Sequence, residues 1–230
     1  MSIWNPVNVM SKERLPTFYP IIDTSTAVSL GATPEDTACA LIEAGVQIVQ
    51  FRHKGFYDYE IFESARKTGE MIQQSGAMYI VNDRSDIALF LGADGVHVGQ
   101  EDISPDSVRT VAATLPIQRS ILIGVSVHNE EQLRQADLTT ADYLAIGPIF
   151  PTTSKQDLDP IVGLEELRRL RAFTAKPIVA IGGITCENAA EVVAAGANSV
   201  AVISDFMGSD IDNRLHEWST VVAFGVMDDR

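Results

Sequence analysis

Arg52 and Lys54 stand two residues apart in the run Gln50-Phe51-Arg52-His53-Lys54. In a strand, Gln50, Arg52 and Lys54 project to one side, and Phe51 and His53 to the other. Two cations beside an amide make an anion clamp, with the guanidinium able to grip phosphate oxygens as a fork. The alternative for these cations is a structural ion pair with nearby carboxylates. Asp83 and Asp102 are hard oxygen ligands near the ends of what read as adjacent strands. Mg²⁺ takes one or two carboxylates together with substrate phosphates and water. Either Asp alone would equally serve as a helix cap. Beside Arg52 and Lys54, the pair favours the metal.

A second group of residues suits a smaller anion. Pro148-Ile149-Phe150-Pro151-Thr152-Thr153-Ser154-Lys155 reads as a loop stiffened by prolines, with three hydroxyls ahead of an ammonium. Gly182-Gly183 and Ser204 each follow an apolar run. Glycines there allow backbone N–H groups to approach a phosphate closely. The histidines offer less. His97 reads as a core residue that packs or hydrogen-bonds, His128 as a helix-starting residue, and His216 as exposed on the last helix. Four scattered histidines make no zinc site, and no Ser-His-Asp or Cys-His arrangement is evident.

The elements that must position these residues are legible as alternating strand and helix patterns. Strands are expected at Phe18–Asp23, Gln47–Arg52, Met78–Asn82, Gly95–Gly99, Ile121–Ser126, Tyr143–Gly147, Pro177–Gly182 and Ser199–Ser204. Their near-continuous apolar character suits strands buried on both faces of a parallel sheet. Helices are expected from Pro34 onward and at Asp58–Ser75, Asp83–Leu91, Ser104–Leu115, Asn129–Gln135, Leu164–Phe173, Cys186–Ala195 and near Ile211–Val222. Thr33-Pro34-Glu35-Asp36 carries a cap residue, a proline at the first position and first-turn acids. Gly45, Gly76 and Gly196 suit left-handed helix ends. Eight strand-then-helix units predict a (β/α)₈ TIM barrel of the α/β class. In that architecture the C-terminal strand ends carry the chemistry, and nearly every polar residue named above falls on that rim.

Length and charge agree with this reading. The 230 residues suit one barrel domain spanning 1–230, with 1–12 and 225–230 as loose ends and no room for a fused second domain. A net charge of −14 excludes a broad electrostatic nucleic-acid binder. No secretory leader or membrane span is expected, and a membrane partner is excluded on the same ground. Cys39 and Cys186 form neither a disulfide framework nor a zinc spacing. Both are expected to be small buried residues in a reducing cytoplasm. Homo-oligomerisation stays open.

At these residues the sequence resembles the thiamine-phosphate synthase family. The resemblance lies in residues 50–54 and in the runs 82–89, 92–102, 124–128, 147–155, 180–184 and 202–204, in order along most of the chain. It implies a transferase with two small-molecule substrates, a pyrimidine diphosphate and a thiazole monophosphate, with thiamine phosphate and diphosphate as products. It also implies that Gln50, Arg52, Lys54, Asn82, Ser126 and Lys155 hold the pyrimidine diphosphate. Among these, Arg52, Lys54, Ser126 and Lys155 take part in catalysis. Asp83 and Asp102 bind one Mg²⁺. Thr152, Thr153, Ser154, Gly183, Ile203 and Ser204 form the thiazole-phosphate side. His53 and Ser154 depart from the family pattern, which usually has an acid and a Thr there. The rival is a thiazole tautomerase of the same fold, in which His128 would be the acid/base and Asp83, Asp102 and Lys54 would have no purpose. A non-catalytic barrel that binds thiamine-pathway phosphates is the remaining alternative.

Overall fold

In the computed structural model, residues 15–115, 120–152, 160–208 and 210–224 are described. Eight strands alternate with helices along the chain: β1 (Phe18–Asp23), α1 (Thr24–Ser29), α2 (Pro34–Glu43), β2 (Ile48–Arg52), α3 (Tyr59–Gln74) and β3 (Met78–Asn82). There follow α4 (Ser85–Leu91), β4 (Gly95–Val98), α5 (Pro105–Thr114), β5 (Leu122–Val127), α6 (Glu130–Asp137) and β6 (Tyr143–Ile146). The order ends with α7 (Gly163–Arg171), β7 (Ile178–Ile181), α8 (Ala189–Ala194), β8 (Ser199–Val202) and α9 (Ile211–Val221). Each strand pairs in parallel with the next, and β8 returns to β1 through Phe18↔Val200, Tyr19↔Ala201 and Pro20↔Val202. The sheet is therefore a closed barrel.

Strand alternation divides the core in two. Inward residues such as Tyr19, Ile21, Ile48, Ile80, Leu122, Tyr143 and Val179 fill the barrel. Outward residues such as Phe18, Ile22, Val49, Phe51, Val81, Val96 and Ile146 meet the helices. The helices are anchored by their own caps. Thr33 and Asp36 form a reciprocal capping box at α2, Ser104 caps α5 and Asn129 caps α6. Gly45, Gly76 and Gly196 have φ of +78°, +88° and +110°, the left-handed ends expected of them.

Four local expectations are corrected. Helix α1 was absent from the sequence reading, since Thr24-Ser25-Thr26 has poor helix propensity. It forms because the Asp23 carboxylate accepts from the Thr26 N–H at 3.0 Å. Helix α4 begins at Ser85 rather than Asp83, because Asp83 adopts φ +61° and so lies off the helical path. Helix α8 begins only at Ala189. The Thr185 N–H is held by the Asn188 side chain and the Cys186 N–H by the Asp205 carboxylate, which favours a turn there. Cys39 is exposed on α2, whereas Cys186 is buried as expected. The presumed loose ends 1–12 and 225–230 lie outside the described residues. No described helix is long and apolar enough to cross a membrane.

Candidate active site

The C-terminal ends of β1 to β5 carry a continuous set of polar side chains. On β2, Gln50 is 3% exposed and points into the barrel, where its Nε2 donates to the Tyr19 hydroxyl at 3.1 Å. Arg52, two residues on, pairs through Nη1 with Asp23 at the end of β1. The structural ion pair considered for this cation thus exists, and it fixes one side of the guanidinium. Burial pushes the Asp23 carboxyl up, but hydrogen bonds from Ser25 and Thr26 and the Arg52 charge outweigh it and hold it below the ordinary range. The Arg52 Nη2 and Nε have no partner among the described residues and remain available to an anion. His53 turns away from this side, with Nδ1 2.7 Å from the Thr24 hydroxyl. Its departure from the family pattern therefore falls outside the rim.

Beyond β2 and β3, Lys54 Nζ lies 2.6 Å from the Asp83 carboxylate. Asp83 is held by its N–H, which donates to His97 O at 2.7 Å, and by the left-handed backbone. Asp102 is fixed by the Gly99 N–H at 2.7 Å. The two carboxylates are close enough for the Asp83 charge to act on Asp102. Loss of water around Asp102 raises its pKa, the Gly99 N–H lowers it and the Asp83 charge raises it again, leaving it above the ordinary carboxylate range. The helix-cap reading of these residues does not hold. Ser104 caps α5, and the α4 N-cap position is Arg84, whose side chain makes no cap bond.

Two crowded carboxylates call for a cation between them, and hard oxygen donors suit a divalent one. Among the described residues no cluster of three or more His, Cys, Asp or Glu is placed to hold a metal. The pair therefore fits an ion that completes its shell from substrate phosphate and water. Next to it, Asn82 is 6% exposed and its buried Nδ2 has no partner among the described residues, an amide donor awaiting an acceptor. Ser126, at the end of β5, is half-buried and hydrogen-bonds His97 Nε2 at 2.9 Å.

The opposite side of the mouth is built from β6 to β8. The Ile149 N–H donates to Ile181 O at 2.9 Å and the Phe150 N–H to Gly182 O at 3.0 Å, laying the post-β6 loop along the end of β7. Gly183 has φ +63°, and a Cβ there would lie 2.5 Å from Pro151 O. Only glycine fits this contact, which brings the Pro151 carbonyl, just ahead of Thr152, against Gly183. Among the described residues the Gly183 and Ser204 amides donate to no protein acceptor. Ser204 is exposed, and Ile203 packs on the inner core. Thr153, Ser154 and Lys155 lie outside the described residues.

The histidine readings agree with the structure. His97 is buried and hydrogen-bonded, His216 is exposed, and His128 holds Gly147 O through Nδ1 at 2.6 Å just ahead of α6. Three side chains of the site region escaped the sequence reading. Asp23 ends β1 on the same rim and was within reach of the rule that found Arg52. Tyr19 and Tyr143 signal themselves only as inward-facing polar groups that need buried partners.

Comparison with known proteins bears on the chain as a whole. Residues 18–206 match the family model described as thiamine monophosphate synthase. A thiamine-phosphate synthase of Koribacter versatilis is 45% identical over 197 residues, covering 84% of this chain and 90% of the relative. One from Methanoregula boonei is 42% identical, covering 80% of this chain and 83% of the relative. The solved structure of thiamine phosphate pyrophosphorylase from Pyrococcus furiosus superposes with a TM-score of 0.78 at 31% identity, covering 93% of this chain and 97% of that one. A 3-hexulose-6-phosphate synthase structure, at 16% identity and a TM-score of 0.65, shares the fold alone. The chain belongs to the thiamine monophosphate synthase family.

Proposed function

We propose that the chain joins 4-amino-5-hydroxymethyl-2-methylpyrimidine diphosphate to 4-methyl-5-(2-phosphooxyethyl)thiazole, or its carboxylated form, giving thiamine phosphate and diphosphate. Family membership makes it a transferase of thiamine biosynthesis. The observation that carries the specific reaction is the carboxylate pair Asp83/Asp102 beside Lys54 and Arg52, across the barrel mouth from Gly183 and Thr152. One side suits a metal-bound diphosphate and the other a monophosphate.

Asp83 and Asp102 would hold one Mg²⁺, which supplies charge neutralisation to the diphosphate oxygens. Arg52 binds the same group through the nitrogens that Asp23 leaves open, and Lys54 reaches it from the rim. Lys155 is assigned to the same diphosphate. Gln50, Asn82 and Ser126 hold and orient the pyrimidine end. Thr152, Thr153, Ser154, Gly183, Ile203 and Ser204 hold the thiazole phosphate and aim the ring nitrogen at the pyrimidine methylene. The C–O bond to diphosphate breaks first, the electron-rich aminopyrimidine carries the positive charge, and the thiazole nitrogen captures it. Catalysis is positioning and electrostatics, without a covalent nucleophile. The free thiols of Cys39 and Cys186 support a reducing, cytoplasmic setting.

The test is diphosphate release by purified protein supplied with both substrates, with and without Mg²⁺, and with each substrate omitted. Release is expected only when both substrates and Mg²⁺ are present, with thiamine phosphate formed in equal amount. Thiazole isomerisation without release would instead assign the chain to the tautomerase reaction.

A further inference from the structure

Five buried or half-buried polar groups form one unbroken line across the barrel. Gln50 Nε2 meets the Tyr19 hydroxyl at 3.1 Å, and the Tyr19 and Tyr143 hydroxyls meet at 2.9 Å. The Tyr143 hydroxyl meets His97 Nδ1 at 3.0 Å, and His97 Nε2 meets the Ser126 hydroxyl at 2.9 Å. The two tyrosines are fully buried, and their ionised forms are strongly disfavoured by that burial. Each tyrosine therefore has one proton to give, and a neutral His97 has one.

With one proton per link, only two orders satisfy every member. If Gln50 donates to Tyr19, then Tyr19 donates to Tyr143, Tyr143 to His97 Nδ1, and His97 Nε2–H to Ser126. Reversing the direction requires the Gln50 amide to turn and offer its oxygen to Tyr19. A mixed order either leaves a buried hydroxyl proton without an acceptor or leaves two facing acceptors with no proton between them. The placement of Nε2 against Tyr19 selects the first order. In that order the two ends have opposite characters. Gln50 keeps its carbonyl oxygen for a ligand, and Ser126, having accepted from His97, keeps its O–H.

We propose that Tyr19, Tyr143 and His97 are positioning residues that tie the hydrogen-bonding character of Ser126 to that of Gln50. The mouth then selects a flat ligand with an N–H donor toward Gln50 and an acceptor toward Ser126. An amino group on a nitrogen heterocycle has that pattern. The ligand assignment rests on the proposed function, whereas the proton order does not.

The proton order is tested on the wild-type protein by ¹⁵N NMR of His97. The neutral tautomer protonated at Nε2 is expected, with Nδ1 showing the shift of an unprotonated acceptor. A tautomer protonated at Nδ1, or an imidazolium at neutral pH, would overturn the proposal whatever the activity. Kinetics then test its consequence. Tyr143→Phe removes the donor to Nδ1 and is expected to raise KM for the pyrimidine diphosphate about tenfold, with KM for the thiazole phosphate unchanged. Equal losses for both substrates, or none, would reduce the line to a packing feature. Tyr19→Phe repeats the test should Tyr143→Phe fold poorly. Absence of diphosphate release with the expected His97 tautomer intact would refute the reaction and leave the relay standing.

Discussion

Asp83 combines two demands in one residue. Its carboxylate faces Lys54 and Asp102, while its φ of +61° is a conformation that Asn tolerates and Ala does not. Asp83→Asn and Asp83→Ala both remove the carboxylate, and both are expected to raise the Mg²⁺ concentration for half-maximal activity at least tenfold. That figure is the low end of the roughly 10–100-fold effect seen when only a supporting partner of a ligand is lost. Thermal melts without metal should separate them, with the Ala variant less stable than the Asn variant by about 1 kcal/mol. Equal stabilities would remove the backbone argument. Asp23 makes a different prediction. Its carboxyl is held below the ordinary range in the folded state, so its stabilisation is present above about pH 4 and is lost as pH falls through the folded value. Asp23→Asn leaves the Arg52 charge without its partner and is expected to cost roughly 3 kcal/mol at pH 7. Denaturant melts from pH 7 down to pH 3 should show that gap narrowing on the acid side. A gap independent of pH would contradict the ion-pair account.

Among the elements, the strand ends decide the site and the glycines beyond them decide how closely loops pack. Gly183→Ala puts a Cβ against Pro151 O at a positive φ, whereas Gly45→Ala meets the same kind of φ with nothing within 4 Å. Both should lose about 1–2 kcal/mol of stability from the left-handed backbone. Only Gly183→Ala should also raise KM for the thiazole phosphate, by about tenfold, because the Thr152 loop must move away. Matching kinetics for the two variants would detach Gly183 from the site. The same contrast explains what was legible in the sequence. The eight strands, and the rim that carries Gln50, Arg52, Asn82, Asp83 and Ser126, follow from apolar runs and from the polar residues that end them. Period alone says nothing about which residues meet across a barrel. Tyr19 and Tyr143 are 124 positions apart, and Arg52 meets Asp23 across 29. Helix α1 escaped because a single carboxylate cap outweighed poor local propensity. Cys39 was misjudged because a small apolar side chain is no guide to which face of α2 it occupies.

At the scale of the whole molecule, a chain of net charge −14 gathers cations where anions must dock. Arg52 and Lys54 stand together at the barrel mouth, each held in place by a carboxylate of its own, Asp23 or Asp83. The outer helices have their own ion pairs, such as Arg66 with Glu63 and Glu70 on α3 and Arg169 with Glu130 and Glu166. These lie on exposed faces, where each adds little stability. What unites the parts is the closing seam between β1 and β8. That seam joins residues about 180 positions apart, and at a ribosomal pace of about 5–20 residues per second the interval is roughly 10–40 s. Throughout that time the first strand has a bare edge of backbone donors and acceptors, the template on which neighbouring nascent chains can pair. The last strand to leave the ribosome thus has two duties: it completes the floor beneath the chemistry, and it takes the oldest strand out of the reach of aggregation.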